Sequence, residues 1–408
     1  MKLVYKDLIK FLNEKPSKED LSDKLFQLGH EHEIHGNIFD MELTPNRGDC
    51  LSLVGLARDL NIFFGISDVP EIYEGNIENL DIDFENLACD DCKKITFLEI
   101  EIHETTSNYK PYLENYFSAL GNNKTNFFTD ISNYLSYELG QPTHCFERDS
   151  INSKLSFDNR MLSSTFKTLL GTEISLEGKN CVFLMNDEVI SLAGIMGGAS
   201  TACNFDTKSV LVECAYFNPE SIIGKTIKYN LTSDAAHKFE RGVDIAAQDI
   251  ALRRFIKIVQ DHVTIESIKL KSFTPKEPEE TSIPVDVAKI NNILGTELNE
   301  TKYLSYLENL GFETNETIKV PSFRSDIKTQ NDLAEEIARV IGYDNICRTP
   351  TNLKNISNNA STYKVSLIES FLTSNGFTEV INLPFTSIKE ENSIIIDNPL
   401  DANRENFR

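Results

Sequence analysis

VISLAGIMGGASTACNFDTKSVLVECAYF, residues 189–217, holds two apolar runs around a cluster of glycines. VISLAGI and SVLVECAYF are short, rich in β-branched and aromatic residues, and bounded by turn formers, so both read as strands. The glycines in AGIMGG, Gly194, Gly197 and Gly198, let backbone approach a neighbour closely. The motif is not GxGxxG and opens no helix, so it reads as a tight turn forming a pocket wall, not a dinucleotide site. Working outward, KNCVFLM (179–185) and ITFLEIEIH (95–103) read as further strands, and NYLSYELG (133–140) as a helix. SDAAHKFERG, from Ser233, reads as a helix start. Together they make a large α/β region over about 93–275, entered through an acidic, weakly patterned stretch, 66–92, that reads as a linker.

Smaller units flank this region. Residues 1–65 read as helices around a small core, with DLIKFLNE and KEDLSDKLFQLG showing three-to-four spacing and Ser17 opening a cap-like S-x-x-D. A short strand from Asp40 to Leu43, the turn TPNRGD and the helix CLSLVGLARDLNIFFG follow, ending at Gly65. TPKEPEETSIP (274–284) marks a boundary, and 284–347 reads as a compact unit containing the helix NDLAEEIARVIGY. The polar stretch 348–361 reads as another linker. The remainder, 362–408, offers a helix (KVSLIESFLTSNGF) and a strand (EVINLPF), then stops without a closing core, as a truncated domain would. An internal repeat links the two small units. LFQLGHE (25–31) resembles LENLGFE (307–313), and each is followed by Pro, Arg and Asp (Pro45, Arg47, Asp49; Pro321, Arg324, Asp326) and by a helix carrying Ala-Arg, at Ala57-Arg58 and Ala338-Arg339.

A chain of 408 residues implies several domains. No apolar run approaches a membrane span, and the N-terminus lacks a signal peptide's apolar core, so the expected setting is the cytoplasm. The eight cysteines read as reduced thiols, mostly buried. Net charge is −23, which argues against a protein that grips nucleic acid over its whole surface. Local contact through KSFTPK (271–276) or the RRFIKI stretch from Arg253, or through a basic partner, stays open.

Besides the AGIMGG turn, three features could carry chemistry. Asp332, Glu335 and Glu336 share a helix face near its N-terminus, with Asp326 in the preceding loop; Mg²⁺ favours such oxygen ligands, while dipole complementation is the bland alternative. His144, in ELGQPTHCFE, sits where a pocket lip is expected and could serve as a base or orient a water. Glu213 lies inside an apolar strand, where a carboxylate is costly unless it faces solvent or a polar pocket. HEHEIH (30–35) lacks HExxH spacing and reads as an exposed loop. Cys89-x-x-Cys92 has no second pair, so a structural zinc is not expected.

In order along the chain, ELTPNRGDCLSLVGLARDL, ISNYLSYELGQPTHCFE, LAGIMGGASTACNFDTKSVLVECAYFNPESI, TSDAAHKFERGVD and PSFRSDIKTQNDLAEEIARVIGYDNI resemble the bacterial phenylalanyl-tRNA synthetase β subunits. The resemblance implies an α+β multidomain chain: a helical B1-like domain (1–65), a B3/B4-like editing domain (66–275), a helical B5-like magnesium-binding domain (281–348), and the truncated start of an inactive class II catalytic-like module (362–408). It implies an editing pocket at His144, Gly197, Glu213, Ser233 and Ala235. Glu213 would recognise the phenol hydroxyl of misattached tyrosine, and His144 the ester end or its water. Ser233 stands where the family usually has Thr. Asn123-Lys124 replaces an Arg-Pro pair that commonly supports the pocket. The family's inserted OB-type tRNA-binding domain is missing between the first helices and the LTPNR strand. Asp326, Asp332, Glu335 and Glu336 fall on the family's Mg²⁺ ligand positions.

The implied assembly is an α₂β₂ ligase that joins phenylalanine to tRNA(Phe) with ATP. Phenylalanine and ATP would bind on the α subunit, and no membrane or DNA is involved. This chain would supply assembly, tRNA contact and hydrolysis of mischarged Tyr-tRNA(Phe). The alternative is a subunit or fragment that assembles with the α subunit without editing.

Overall fold

The computed structural model describes residues 1–67, 69–275, 280–348, 360–401 and 403–407. They fall into two compact units, Met1–Cys347 and Arg348–Arg408.

Two five-stranded sheets organise the first unit. One runs Glu78–Asn79, Ile265–Phe273, Cys92–Ile102, Ser209–Phe217, His144–Glu147; the other runs Met196–Gly197, Glu188–Leu192, Glu173–Met185, Leu155–Lys167, Phe84–Asn86. The strand Ser209–Phe217 shows why layers form on both sides of it. Its alternation sends Val210, Val212 and Cys214 into one core and Leu211, Ala215 and Phe217 into another. The first core lies under the helices Phe127–Leu139 and Gln248–His262; the second lies between the sheets. By the same parity Glu213 faces the second core.

The acidic segment expected as a linker is used differently. Glu78–Asn79 and Phe84–Asn86 add a parallel edge strand to each sheet. Its charge fits that place, because acidic side chains on an edge discourage pairing with another chain.

The first sixty-five residues contain a three-stranded sheet, Lys2–Val4, Ile38–Glu42 and Glu31–His35, against the helices Lys18–Gln27 and Leu53–Phe64. They share their core with the α/β region: Leu3, Phe39 and Leu56 lie in one cluster with Leu98 and Tyr137, and the Val4 amide donates to the Tyr137 hydroxyl at 3.0 Å. HEHEIH is not an exposed loop. Residues 31–35 pair with Ile38–Glu42 through the turn Gly36-Asn37, and His30 is buried.

A third core, around Tyr303, Leu307 and Leu333, serves the helices Val287–Leu294, Glu300–Asn309 and Gln330–Ile341. The internal repeat is visible here with a sharper register. Leu53–Phe64 and Gln330–Ile341 are both 12-residue helices, N-capped by Ser52 and Thr329 and ended by Gly65 and Gly342. Arg47 bonds an acid 12 residues on, Asp59; Arg324 bonds an acid 12 residues on, Glu336. In this register Ala57 matches Ala334, and Arg58 does not correspond to Arg339.

The second unit holds the expected helix, Ala360–Ser374, and three two-residue strands, Phe385–Thr386, Ile394–Ile395 and Asn406–Phe407. EVINLPF is not a strand before Phe385, for its apolar residues find no partner strand there. Most of the expected linker 348–361 and part of TPKEPEETSIP lie outside the described residues. No described helix is long and apolar enough to cross a membrane.

Candidate functional site

The helix Phe127–Leu139 sets the first wall. Asn126 caps it, its side chain accepting from the Thr129 amide at 3.1 Å, and Gly140 ends it at φ +80°. Gln141 then donates to the Ala215 carbonyl at 3.1 Å, which steers the chain back to the sheet edge. His144 pairs directly with Glu213 across the antiparallel ladder, and Phe97 flanks Glu213 on the other side. His144 and Glu213 are therefore neighbours on the face toward the second core.

Glu213 is 4 % exposed, and no charged group offsets its burial, which pushes its carboxyl up to about 8. At neutral pH it is a protonated acid able to donate a hydrogen bond. The His144 Nε2 is shielded from solvent without a hydrogen-bond partner, and burial lowers the imidazole to about 4. It is neutral at physiological pH and too weak a base to hold a proton, so it suits orienting a water.

Gly197 meets this ring. A Cβ at Gly197 would lie 2.3 Å from His144 Cε1 and 2.8 Å from Nε2, so only glycine fits. Ser233 caps the helix Asp234–Phe239 through the Ala236 amide, and its hydroxyl donates to the Ile195 carbonyl at 2.7 Å. It thus ties the AGIMGG turn to the helix. Ala235, half-buried, packs against the second core. The structure brings His144, Gly197 and Glu213 together, with Ser233 holding the turn that carries Gly197.

Lys238 supports the wall that Ser233 starts. It is buried, and its ammonium donates to the Ser136 carbonyl and hydroxyl at 2.7 and 2.9 Å. The conspicuous His237 pairs with Arg241 on the exposed side. Lys124 bonds Glu114 and lies over the Tyr109 ring at 4.6 Å, so it is engaged away from the pocket.

The four carboxylates expected to hold a cation have other partners. Asp326 takes a two-pronged contact from Arg324 at 2.9 Å on each prong. Glu336 accepts from Arg324 at 2.7 Å on each oxygen and from Arg339 at 2.5 Å. Asp332 accepts from the Lys328 and Thr329 amides in a capping box, and Glu335 is exposed. Mg²⁺ needs oxygens that converge and are not claimed by cations. As placed, the set does not fit one: guanidinium groups occupy two of its members and a helix cap the third. The first copy of the repeat explains this. Asp49 and Asp59 stand where Asp326 and Glu336 do and perform the same duty on Arg47, while Gly55 and Arg58 stand at the other two positions. The shared pair holds an arginine in both copies.

The sequence reading missed the knot that results. Arg339 reaches out of the second copy to grip Asp59 of the first, at 2.7 and 2.8 Å, while also holding Glu336. Asp59 in turn accepts from Arg47 and from His30 Nε2 at 2.7 Å. Arg58 of the first copy lies 3.4 Å above the Phe323 ring of the second. The matched 12-residue spacing was the available signal. His30, Cys50 and Asp59 alone, among the described residues, come close enough to suggest a metal. Arg47 donates to both Cys50 and Asp59, and Arg339 to Asp59, which disfavours a cation there.

Residues 92–264 match the family model described as the B3/4 domain, and 283–343 the tRNA synthetase B5 domain. The phenylalanine–tRNA ligase beta subunit of Burkholderia lata is 30 % identical over 368 residues, covering 88 % of this chain and 45 % of that protein. That of Dickeya dadantii is 27 % identical over 397 residues, covering 92 % and 49 %. The chain spans about half the length of the curated relatives it matches. An N-terminal fragment of the phenylalanyl-tRNA synthetase beta-subunit from Pyrococcus horikoshii aligns at 15 % identity and a TM-score of 0.45, covering 83 % of this chain and 99 % of that one.

Proposed function

We propose that this chain, which belongs to the phenylalanine–tRNA ligase β-subunit family, hydrolyses the tyrosyl ester of tRNA(Phe) in the pocket of His144, Gly197, Glu213, Ser233 and Ala235. The observation that carries this is Glu213: a buried carboxyl without a charged partner, beside a shielded imidazole, at the end of an apolar core. A tyrosine side chain supplies what Glu213 lacks, a hydroxyl at the far end of an apolar ring. Phenylalanine leaves that acid unsatisfied, and a site built to bond a hydroxyl discriminates strongly against a ligand without one. Gly197 leaves room for the ring. His144 Nε2 accepts from a water and aims its oxygen at the ester carbonyl. Water adds to that carbon, the bond to the ribose oxygen breaks, and the ribose oxygen takes the proton. Free tyrosine and uncharged tRNA leave.

The wider role is that of a β subunit: assembly with an α subunit as α₂β₂, contact with tRNA(Phe), and support of ATP-dependent phenylalanine attachment on α. The resemblance and the B3/4 and B5 matches support it; the matches support a B3/B4-like segment at 66–275 and a B5-like segment at 281–348, while a B1-like segment at 1–65 and a class II-like segment at 362–408 rest on the resemblance alone. Mg²⁺ at Asp326, Asp332, Glu335 and Glu336 rests on the resemblance alone, and no step is routed through it. Lys124, engaged by Glu114, favours the second reading, a subunit that assembles without editing. Deacylation of Tyr-tRNA(Phe) by the chain in complex with its α partner separates the two. Release well above the uncatalysed rate, lost in Gly197→Trp, is expected; release no faster than the uncatalysed rate would end the editing reading.

A further inference from the structure

The pocket is shut in this structure, and the element that shuts it belongs to none of the motifs that define it. The strands Leu155–Lys167 and Glu173–Met185 form a long hairpin whose tip, 168–172, folds over Gly197. Leu169 Cδ1 comes within 2.7 Å of the point where a Cβ on Gly197 would stand, the same point that His144 Cε1 and Nε2 approach. An apolar methyl group is thus packed near an imidazole nitrogen that is shielded from solvent and has no hydrogen-bond partner in the protein.

We infer that the tip 168–172 is the movable roof of this pocket, and that Leu169 is a specificity-determining residue that closes on the side chain of the bound aminoacyl ester. The inference rests on the editing reading of the pocket. Below the tip the hairpin is fixed, for Phe166 and Leu176 are buried in the second core. Above them Thr168 is still buried and forms the hinge of the tip, and beyond it the roof is held by little. Leu169 N donates to Gly197 O at 2.9 Å and Thr168 bridges Gly198; the remaining backbone bonds of the tip, Thr168 to Thr172 and Gly171 to Thr168, are internal. They travel with it when it lifts. Gly171, at φ +79°, makes the turn that keeps the tip a self-contained piece. Leu169 and Leu170 are 40 % and 70 % exposed, so the tip is not buried beneath any neighbouring element. A roof that seats on a ring excludes bulk water and keeps the water at His144 as the one in reach of the ester.

Three measurements test this, two of them without any need for activity. Amide exchange at Leu169 is expected to run at least a hundredfold faster than at Val182 in the same hairpin; equal protection would refute a movable roof. His144 in Leu169→Ala, followed by NMR, is expected to titrate at least one pH unit higher than in the unaltered chain, because its Nε2 gains water; an unmoved titration overturns the roof. In deacylation by the α-complexed protein, Leu169→Ala is expected to narrow the preference for Tyr-tRNA(Phe) over Phe-tRNA(Phe) at least tenfold. Leu169→Trp should slow both reactions at least tenfold at an unchanged melting temperature. An unaltered preference in both variants overturns the sorting role. No deacylation by any form, with exchange and titration as expected, defeats the editing reading and leaves the roof standing.

Discussion

Glu213 titrates against the fold. Its carboxyl lies near 8 in the folded chain and near 4.5 when free. Between those values the folded state binds a proton that the unfolded state does not, so stability falls as pH rises from about 4.5 to 8. Glu213→Gln removes this penalty. The variant is expected to match the wild type near pH 4.5 and to gain on it progressively up to pH 8, by on the order of 3–5 kcal/mol at most. Melting curves at pH 5, 7 and 9 check it, and a constant difference across that range would count against a buried acid. Discrimination for tyrosine should fall in the same variant. The motif that carries this residue was legible because a carboxylate in SVLVECAYF violates the strand's apolar pattern. Leu169 was not legible, since a leucine beside a glycine turn breaks no pattern until the hairpin folds back.

Elements repeat that lesson. Helices announced themselves through apolar spacing and, at Ser17, through a cap; the caps Ser52, Asn126 and Thr329, each accepting from the third amide of its helix, came to light only in the structure. Ser52→Ala and Thr329→Ala are each expected to lower stability by about 1 kcal/mol in urea unfolding. Equal losses would reflect the equal place these residues hold in the two copies. Short edge strands were illegible, because Glu78–Asn79 and Phe84–Asn86 owe their form to the sheet they join, not to their own residues. HEHEIH was misread for a related reason. Three histidines among acids look solvated, yet a two-residue turn pairs the segment with Ile38–Glu42 and buries His30 against Asp59.

At the largest scale, the arginine knot joins the two copies of the repeat within Met1–Cys347. Asp59 and Glu336 are held below their ordinary range, Glu336 at about 2, the gain over desolvation coming first from Arg339. An acid whose folded value is depressed gives stability above its unfolded value, lost as pH falls through the folded one. The knot should therefore loosen between about pH 4 and pH 2. Asp59→Asn leaves Arg339 and Arg47 underpaired and is expected to destabilise the chain by about 3–5 kcal/mol. Magnesium at millimolar concentration is expected to leave the melting temperature of the chain unchanged. A rise that disappears in Asp332→Ala would restore a metal to that helix. The family was readable from five ordered motifs, whereas the knot was not, since charges far apart in sequence give no sign of meeting until two copies of one unit face each other.

That meeting has a consequence for cutting and rejoining. Asp59 and Arg339 are 280 positions apart, and nothing in their bond requires the peptide between them to be intact. A chain nicked once after Pro275 by a protease should still elute as one particle at neutral pH. Its two pieces, produced separately and mixed, should find each other by complementation, and Arg339→Met should let them drift apart.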